Sequence, residues 1–308
     1  SYNYGSEITN VKNWFTRNNI SAVIKNDNSA IIWGHNSYTD ERYLADSTKG
    51  VRGPNSSTVD ATLLNSDISN VYLNAESACA IKLDGSVIAW GRDTQGGNFH
   101  HSTYGARGGN SDSVDPSLLN SGVVKIIVRN DSYRGFLALK NDKSLVCWGD
   151  SYNNPHHTSY GIRKATFYND SAIYPEEINS NIEKVFITEY ANCALKTDGS
   201  VICWGNNSHG GNMCNSSYGV RNLDNSTVDP SVLSSGVIDI YSNKSSFLAI
   251  KEGNVPYTWG DVYSGGNMHH STYGVRSLNS DSIDPSILSE GIVKIVSGKQ
   301  TWGVVFEN

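Results

Sequence analysis

The sequence predicts an all-β fold, a six-bladed β-propeller with long inter-strand connectors and short helical turns, with seven blades as the alternative. Three observations carry the prediction. Trp-Gly recurs at Trp33-Gly34, Trp90-Gly91, Trp148-Gly149, Trp204-Gly205 and Trp259-Gly260, every 55 to 58 residues. Each pair closes the same text: an apolar stretch, a tight turn and a second apolar stretch. A fixed period of this size marks a repeat architecture whose units bury their faces only against neighbours.

The unit at 121–149 shows the elements in order. Val123-Val-Lys-Ile-Ile-Val128 is β-branched and reads as a first strand. Gly135-Phe-Leu-Ala-Leu-Lys140 is a second, Asn141-Asp-Lys-Ser144 a turn, and Leu145-Val-Cys-Trp148 a third. Sister copies place Asp84-Gly85 and Asp198-Gly199 in the turn, where a hairpin needs positive φ. Each unit is thus an antiparallel meander. Five tryptophans end these strands, and Trp14 and Trp302 align with apolar strand positions, so all seven are expected in the core.

Between meanders run connectors with their own repeated text. Gly96-Gly-Asn-Phe-His-His-Ser-Thr-Tyr-Gly-Ala-Arg107 matches Gly265-Gly-Asn-Met-His-His-Ser-Thr-Tyr-Gly-Val-Arg276. Gly210 to Arg221 is a third copy, and Asn153 to Arg163 is a fourth without the Gly pair. Asp-Pro then precedes a short apolar stretch at Asp115, Asp229 and Asp284, which predicts an N-capped helical turn ending near Gly122, Gly236 or Gly291. The last residues, 292–308, supply two strands of a unit. Tyr2-Asn-Tyr-Gly5 resembles the missing Trp-Gly strand, so residues 1–308 are expected to form one propeller domain in which strand 1–5 completes the final blade.

The phrase Cys193-Ala-Leu-Lys-Thr-Asp-Gly-Ser-Val-Ile-Cys-Trp-Gly205 resembles the repeat of the regulator-of-chromosome-condensation family of β-propellers. The resemblance extends over nearly the whole chain. It implies a non-enzymatic scaffold that binds a protein or another ligand, and the Tyr-Gly-x-Arg insertion is similar to that of a bacterial, surface-associated branch. The family's eukaryotic His-Ser pair is replaced here by Ser77-Ala-Cys79, Arg134-Gly-Phe136 and Ala191-Asn-Cys193. Nucleotide exchange on a small GTPase is therefore not carried over.

Composition narrows the function classes. Charged residues make up 18% and the net charge is −6, so no basic surface for nucleic acid is expected. No apolar run approaches the roughly 18 residues of a membrane span. Five cysteines form no Cys-x-x-Cys motif. Pairing through a two-residue turn sets Cys193 opposite Trp204, so a disulfide to Cys203 is not expected. Eight Asn-x-Ser/Thr sequons, Asn55, Asn130, Asn215 and Asn243 among them, match what this Asn- and Ser-rich composition produces by itself.

Candidate binding residues lie in the connectors. Six of eight histidines are adjacent pairs, His100-His101, His156-His157 and His269-His270, with Cys214-Asn215 in the fourth copy. Neighbours on an extended segment point apart, so one pair is a poor chelator and packing is the ordinary reading. Several pairs converging from different blades suit a metal or a polar ligand instead. Tyr104 and Arg107, Tyr160 and Arg163, Tyr218 and Arg221, and Tyr273 and Arg276 recur likewise. They either seal blade junctions or form a ring for sugars and carboxylates. No catalytic residue, metal or cofactor is assigned. The expected role is recognition of a protein or glycan at the cell surface or outside the cell. Self-assembly into a surface layer or filament, and a histidine-built metal or enzymatic site, are the alternatives.

Overall fold

The computed structural model describes residues 8–17, 20–35, 42–44, 56–57, 61–74, 77–92, 96, 116–129, 135–149, 170–171, 175–206, 209–211, 230–261, 264–266 and 292–306. They are almost entirely β, in small antiparallel sheets. The chain divides into two compact units, Ser1–Gly161 and Ile162–Asn308.

The first unit holds three sheets. Strands β1 (Val11–Arg17), β2 (Ile20–Lys25), β3 (Ala30–His35) and β4 (Arg42–Leu44) pair in sequence order. Strands β5 (Ser56–Ser57), β6 (Ile68–Leu73), β7 (Ser77–Lys82) and β8 (Val87–Arg92) pair in the order β5-β8-β7-β6. Strands β9 (Val123–Arg129), β10 (Gly135–Lys140) and β11 (Leu145–Gly149) form the third, as the sequence predicts.

The second unit repeats the pattern. Strands β12 (Asp170–Ser171), β13 (Ile182–Ile187), β14 (Ala191–Lys196) and β15 (Val201–Asn206) pair as β12-β15-β14-β13. Then come β16 (Val237–Ser242), β17 (Ser246–Lys251) and β18 (Val255–Gly260), and finally β19 (Ile292–Ser297) with β20 (Trp302–Phe306). The strand expected at residues 1–5 lies outside the described residues.

Central strands such as β7, β14 and β17 are buried on both faces, which explains their continuous apolar text. One face carries alanine at the same place in four sheets, Ala80, Ala138, Ala194 and Ala249, each 0% exposed, and Val23 takes that place in the first. The core lies between consecutive sheets. Ala80, Ile88 and Trp90 pack on Ala22, Ile24 and Ile32 of the sheet before, and Phe136, Ala138 and Trp148 pack on Cys79, Ile81 and Ala89. In the second unit Phe247, Ala249 and Trp259 pack on Cys193, Leu195 and Cys203.

The first strand slips register at its second residue in all six strand pairs, as between Ile68 and Asn70 or Val237 and Asp239. Such a bulge bends a strand and increases its twist. It also turns Val124 and Ile238 outward, leaving them 59% and 51% exposed.

Backbone hydrogen bonds join consecutive repeats. Ile68 donates to the carbonyl of Asn28, Val123 to that of Gly85 and Val237 to that of Gly199, at 2.9–3.0 Å. Gly85 and Gly199 take φ of +77°, as the hairpin text requires, and a Cβ on Gly85 would stand 2.7 Å from the backbone nitrogen of Gly122. These glycines therefore serve two purposes, a left-handed turn and a close approach to the next repeat.

The turn has three residues, not two. Lys196 N–H donates to Ser200 O and Gly199 N–H to Lys196 O, a tight turn followed by a glycine bulge. The extra residue moves the register by one, so Cys193 faces Cys203 and Asn192 faces Trp204. The expected pairing of Cys193 with Trp204 is thereby corrected, and with it the ground for expecting no Cys193–Cys203 disulfide.

Short turns begin at the expected prolines, Pro116–Leu119 and Pro230–Leu233 as 3-10 turns, with an α-turn at Pro175–Ile178. Gly122 and Gly236 follow with positive φ. The capping aspartates lie outside the described residues. Of the seven tryptophans expected in the core, Trp90, Trp148, Trp204 and Trp259 are buried and Trp33 and Trp302 are half-buried, but Trp14 is 54% exposed, its ring edge-on to Trp33 at 5.2 Å. The matching Ile126 and Ile240 are covered by the preceding sheet, and β1 has none before it in its unit.

Candidate binding rim

The connectors leave the sheets beside the loops that join first and second strands, and there the described residues form a polar rim. In the second unit this rim comprises, among the described residues, 188–190, 206, 209–211, 243–246, 261, 264–266 and 298–301. Its base is built from side chains that replace missing backbone partners. Asn243 Oδ1 accepts from the N–H groups of Ser245 and Ser246, while its amide donates to Ser264 O at 2.8 Å. Ser246 Oγ donates to the same carbonyl at 2.6 Å. Thr188 takes this place one repeat earlier, accepting from Ala191 N–H and donating to His209 O. Buried polar groups need such partners, so these contacts pin the root of each connector. Asn243 heads a glycosylation sequon, yet it is 8% exposed with both ends of its amide in use. That leaves no accessible nitrogen for a glycan.

The glycine pairs have the same anchoring function. A Cβ on Gly210 would lie 2.7 Å from the Phe247 ring and 3.0 Å from Trp259, and φ is +94°. Trp259 donates its indole N–H to Gly210 O at 3.1 Å, and Trp148 does likewise to Gly96 O. A Cβ on Gly211 would stand 2.4 Å from the carbonyl of Gly205. The first glycine thus seats the next repeat's tryptophan, and the second lies against its own Trp-Gly strand. Trp204, 2% exposed, has no acceptor for its indole N–H among the described residues. The copy of the connector text before it is the one without the glycine pair.

Above this base stand Glu189, Tyr190, His209, Lys244 and Asp261. Lys244 Nζ lies 3.0 Å from Glu189 Oε2, and the backbone repeats the link, with Glu189 N–H donating to Lys244 O and Lys244 N–H to Lys299 O. The carboxylate holds the Lys244 ammonium above its ordinary pKa. The half-buried His209 ring meets Tyr190 edge-on, centroids 4.5 Å apart, with Nδ1 3.0 Å from Asn206 Oδ1. Burial lowers the His209 pKa, outweighing Asp261 and Glu189, which favour its charged form. The imidazole is therefore neutral at neutral pH. The rim offers a cation, two carboxylates, a phenol and a neutral imidazole within one patch.

All fourteen connector residues singled out from the sequence, from His100 to Arg276, lie outside the described residues, as does Cys214. Among the described residues no three His, Cys, Asp or Glu side chains are gathered to hold a metal, and no helix is long and apolar enough to cross a membrane. The rim residues carry no repeated text. Their only signal in the sequence is that His209 is one of two histidines outside the pairs.

Within each unit, small antiparallel sheets packed one on the next make an all-β repeat scaffold. Residues 182–210 match the regulator of chromosome condensation (RCC1) repeat. No curated protein matches the chain. Among solved structures, yeast RCC1 (Prp20) in its complex with Kap60 is similar at 14% identity and a TM-score of 0.43, over 97% of this chain and 67% of that one. Human WBSCR16 is similar at 17% identity and a TM-score of 0.41, over 79% and 59%. The ectodomain of the receptor kinase CR4 from Physcomitrella patens is similar at 14% identity and a TM-score of 0.37, over 81% and 51%. The chain thus spans between half and three-fifths of the last two structures.

Proposed function

We propose that this chain is a non-enzymatic recognition scaffold, acting at the cell surface or outside the cell and engaging a protein or glycan through its connectors. One observation carries the reading. The sheets fix a rim of mixed charge and aromatic character, Glu189, Tyr190, His209 and Lys244, at the place where the connectors leave. Loops on a rigid scaffold are where binding residues concentrate. The connectors add Tyr, Asn, Ser and Gly, residues that give aromatic contact and adaptable hydrogen bonds. The RCC1-type repeat supports a protein-interaction role.

The test is a binding screen of the intact chain against a glycan array and against isolated surface proteins of the source cells. Hits are then re-measured with Tyr273→Ala, Arg276→Ala and Lys244→Ala. The reading expects one class of hit, weakened at least tenfold by a connector substitution that leaves the melting temperature unchanged. Undiminished binding by all three variants removes the connectors and rim as the contact.

A further inference from the structure

The Cys193–Cys203 pair is specific to one repeat. The two residues are direct partners across β14 and β15 and are 0% and 1% exposed. The same position reads Cys79 opposite Ala89, Leu137 opposite Cys147, and Leu248 opposite Thr258. In the second and fourth sheets this is a small-residue face, on which the next sheet lays Phe136 and Trp148 or Phe247 and Trp259. Small size alone is met by Cys-Ala. Two cysteines in register offer more than small size.

The hydrogen-bond ladder decides whether they can join. Asn206 N–H donates to Tyr190 O at one end of the hairpin, and Lys196 N–H to Ser200 O at the other. Antiparallel partners alternate between hydrogen-bonded and non-hydrogen-bonded pairs. Counting inward from either end makes Cys193–Cys203 a non-hydrogen-bonded pair. Such pairs bring Cα atoms to about 4.5 Å with side chains on the same face. That falls within the roughly 4.4–6.8 Å that a disulfide spans.

We propose that Cys193 and Cys203 form a reversible cross-strand disulfide in an oxidising environment, stapling the β14–β15 hairpin. The oxidant is a low-molecular-weight disulfide such as oxidised glutathione. One cysteine thiolate attacks it, releasing one reduced glutathione and leaving a mixed disulfide. The second thiolate then displaces the other glutathione, so two protein thiols become one disulfide as one glutathione disulfide becomes two thiols. Timing follows from burial. Phe247 and Trp259 cover both sulfurs once the next sheet docks, and burial pushes the Cys203 thiol up. Exchange therefore runs before docking or through local opening, and the bond once made is shielded from reductant. The inference is independent of what the connectors bind.

The experiment refolds the intact wild-type chain from denaturant in a glutathione redox buffer, blocks remaining thiols with iodoacetamide and digests with trypsin. Cleavage after Lys196 separates the two cysteines. The expected result is a linked peptide pair containing Cys193 and Cys203, absent after reduction and absent in Cys203→Ala. The oxidised wild type also melts about 5 °C above the reduced protein, while Cys203→Ala melts alike in both. Recovery of Cys193 and Cys203 on separate alkylated peptides overturns the proposal, as does predominant pairing of either with Cys79, Cys147 or Cys214.

Discussion

At the residue scale, small side chains set the contacts. Gly210 combines a left-handed backbone with the underside of Phe247 and Trp259. Gly210→Ala is expected to cost about 1–3 kcal/mol in urea unfolding, through strain and overpacking. Two titrations belong to this scale. Asp84, Asp142 and Asp198 accept from the serine two residues on, by side chain first and backbone second, and their pKa values fall below the ordinary 3.8. A carboxylate lowered on folding stabilises above its unfolded pKa, and that contribution is lost as pH falls through the folded value. Asp198→Asn should therefore flatten the acid limb of the stability curve below about pH 4. His209 is also lowered on folding, so its contribution is present above about pH 6.5 and declines as pH drops through the folded value. His209→Asn should remove that slope in melts between pH 5 and 7, while an unchanged slope would place it elsewhere.

At the element scale, the second strand organises each repeat. In four sheets its alanine admits the neighbouring sheet, and in two its terminal lysine ties down the short turn that precedes the repeat. Lys140 Nζ donates to Leu118 O at 3.0 Å, and Lys251 Nζ reaches Val232 O. Lys140→Met keeps the aliphatic stem and loses the hydrogen bond. It should destabilise by about 1 kcal/mol in chemical denaturation. Ala138→Leu, at a 0% exposed site between sheets, should cost more, about 1–3 kcal/mol.

Strands and hairpins were legible because apolar text and Asp-Gly turns act locally. Pairing was less so: the three-residue turn shifts the register by one and sets Cys193 against Cys203. Trp14 was misplaced because its burial depends on a neighbouring sheet, which its own strand does not encode. The rim was invisible for a related reason. Glu189, His209 and Lys244 come together from three loops and belong to no repeated phrase.

At the scale of the whole molecule, the roots of the connectors in the second unit are held by side-chain caps. Asn243→Ala would leave the buried N–H groups of Ser245 and Ser246 without their acceptor and release Ser264 O. A loss of about 2 kcal/mol or more is expected. A connector ligand, if measured alongside, should weaken in step with the released root.

In the second and fourth sheets the glycine carbonyl that closes the turn receives an amide from the repeat that follows, Gly85 from Val123 and Gly199 from Val237. Every such amide is a resident gauge of its neighbour's integrity. Hydrogen exchange at Val123 should accelerate when Gly85→Ala distorts the second sheet, though no atom of β9 has been altered. Exchange at Val237, in the other unit, gives the internal comparison. Damage in such an array is read first one repeat downstream of where it was made, so the direction of the chain also gives its failures a direction.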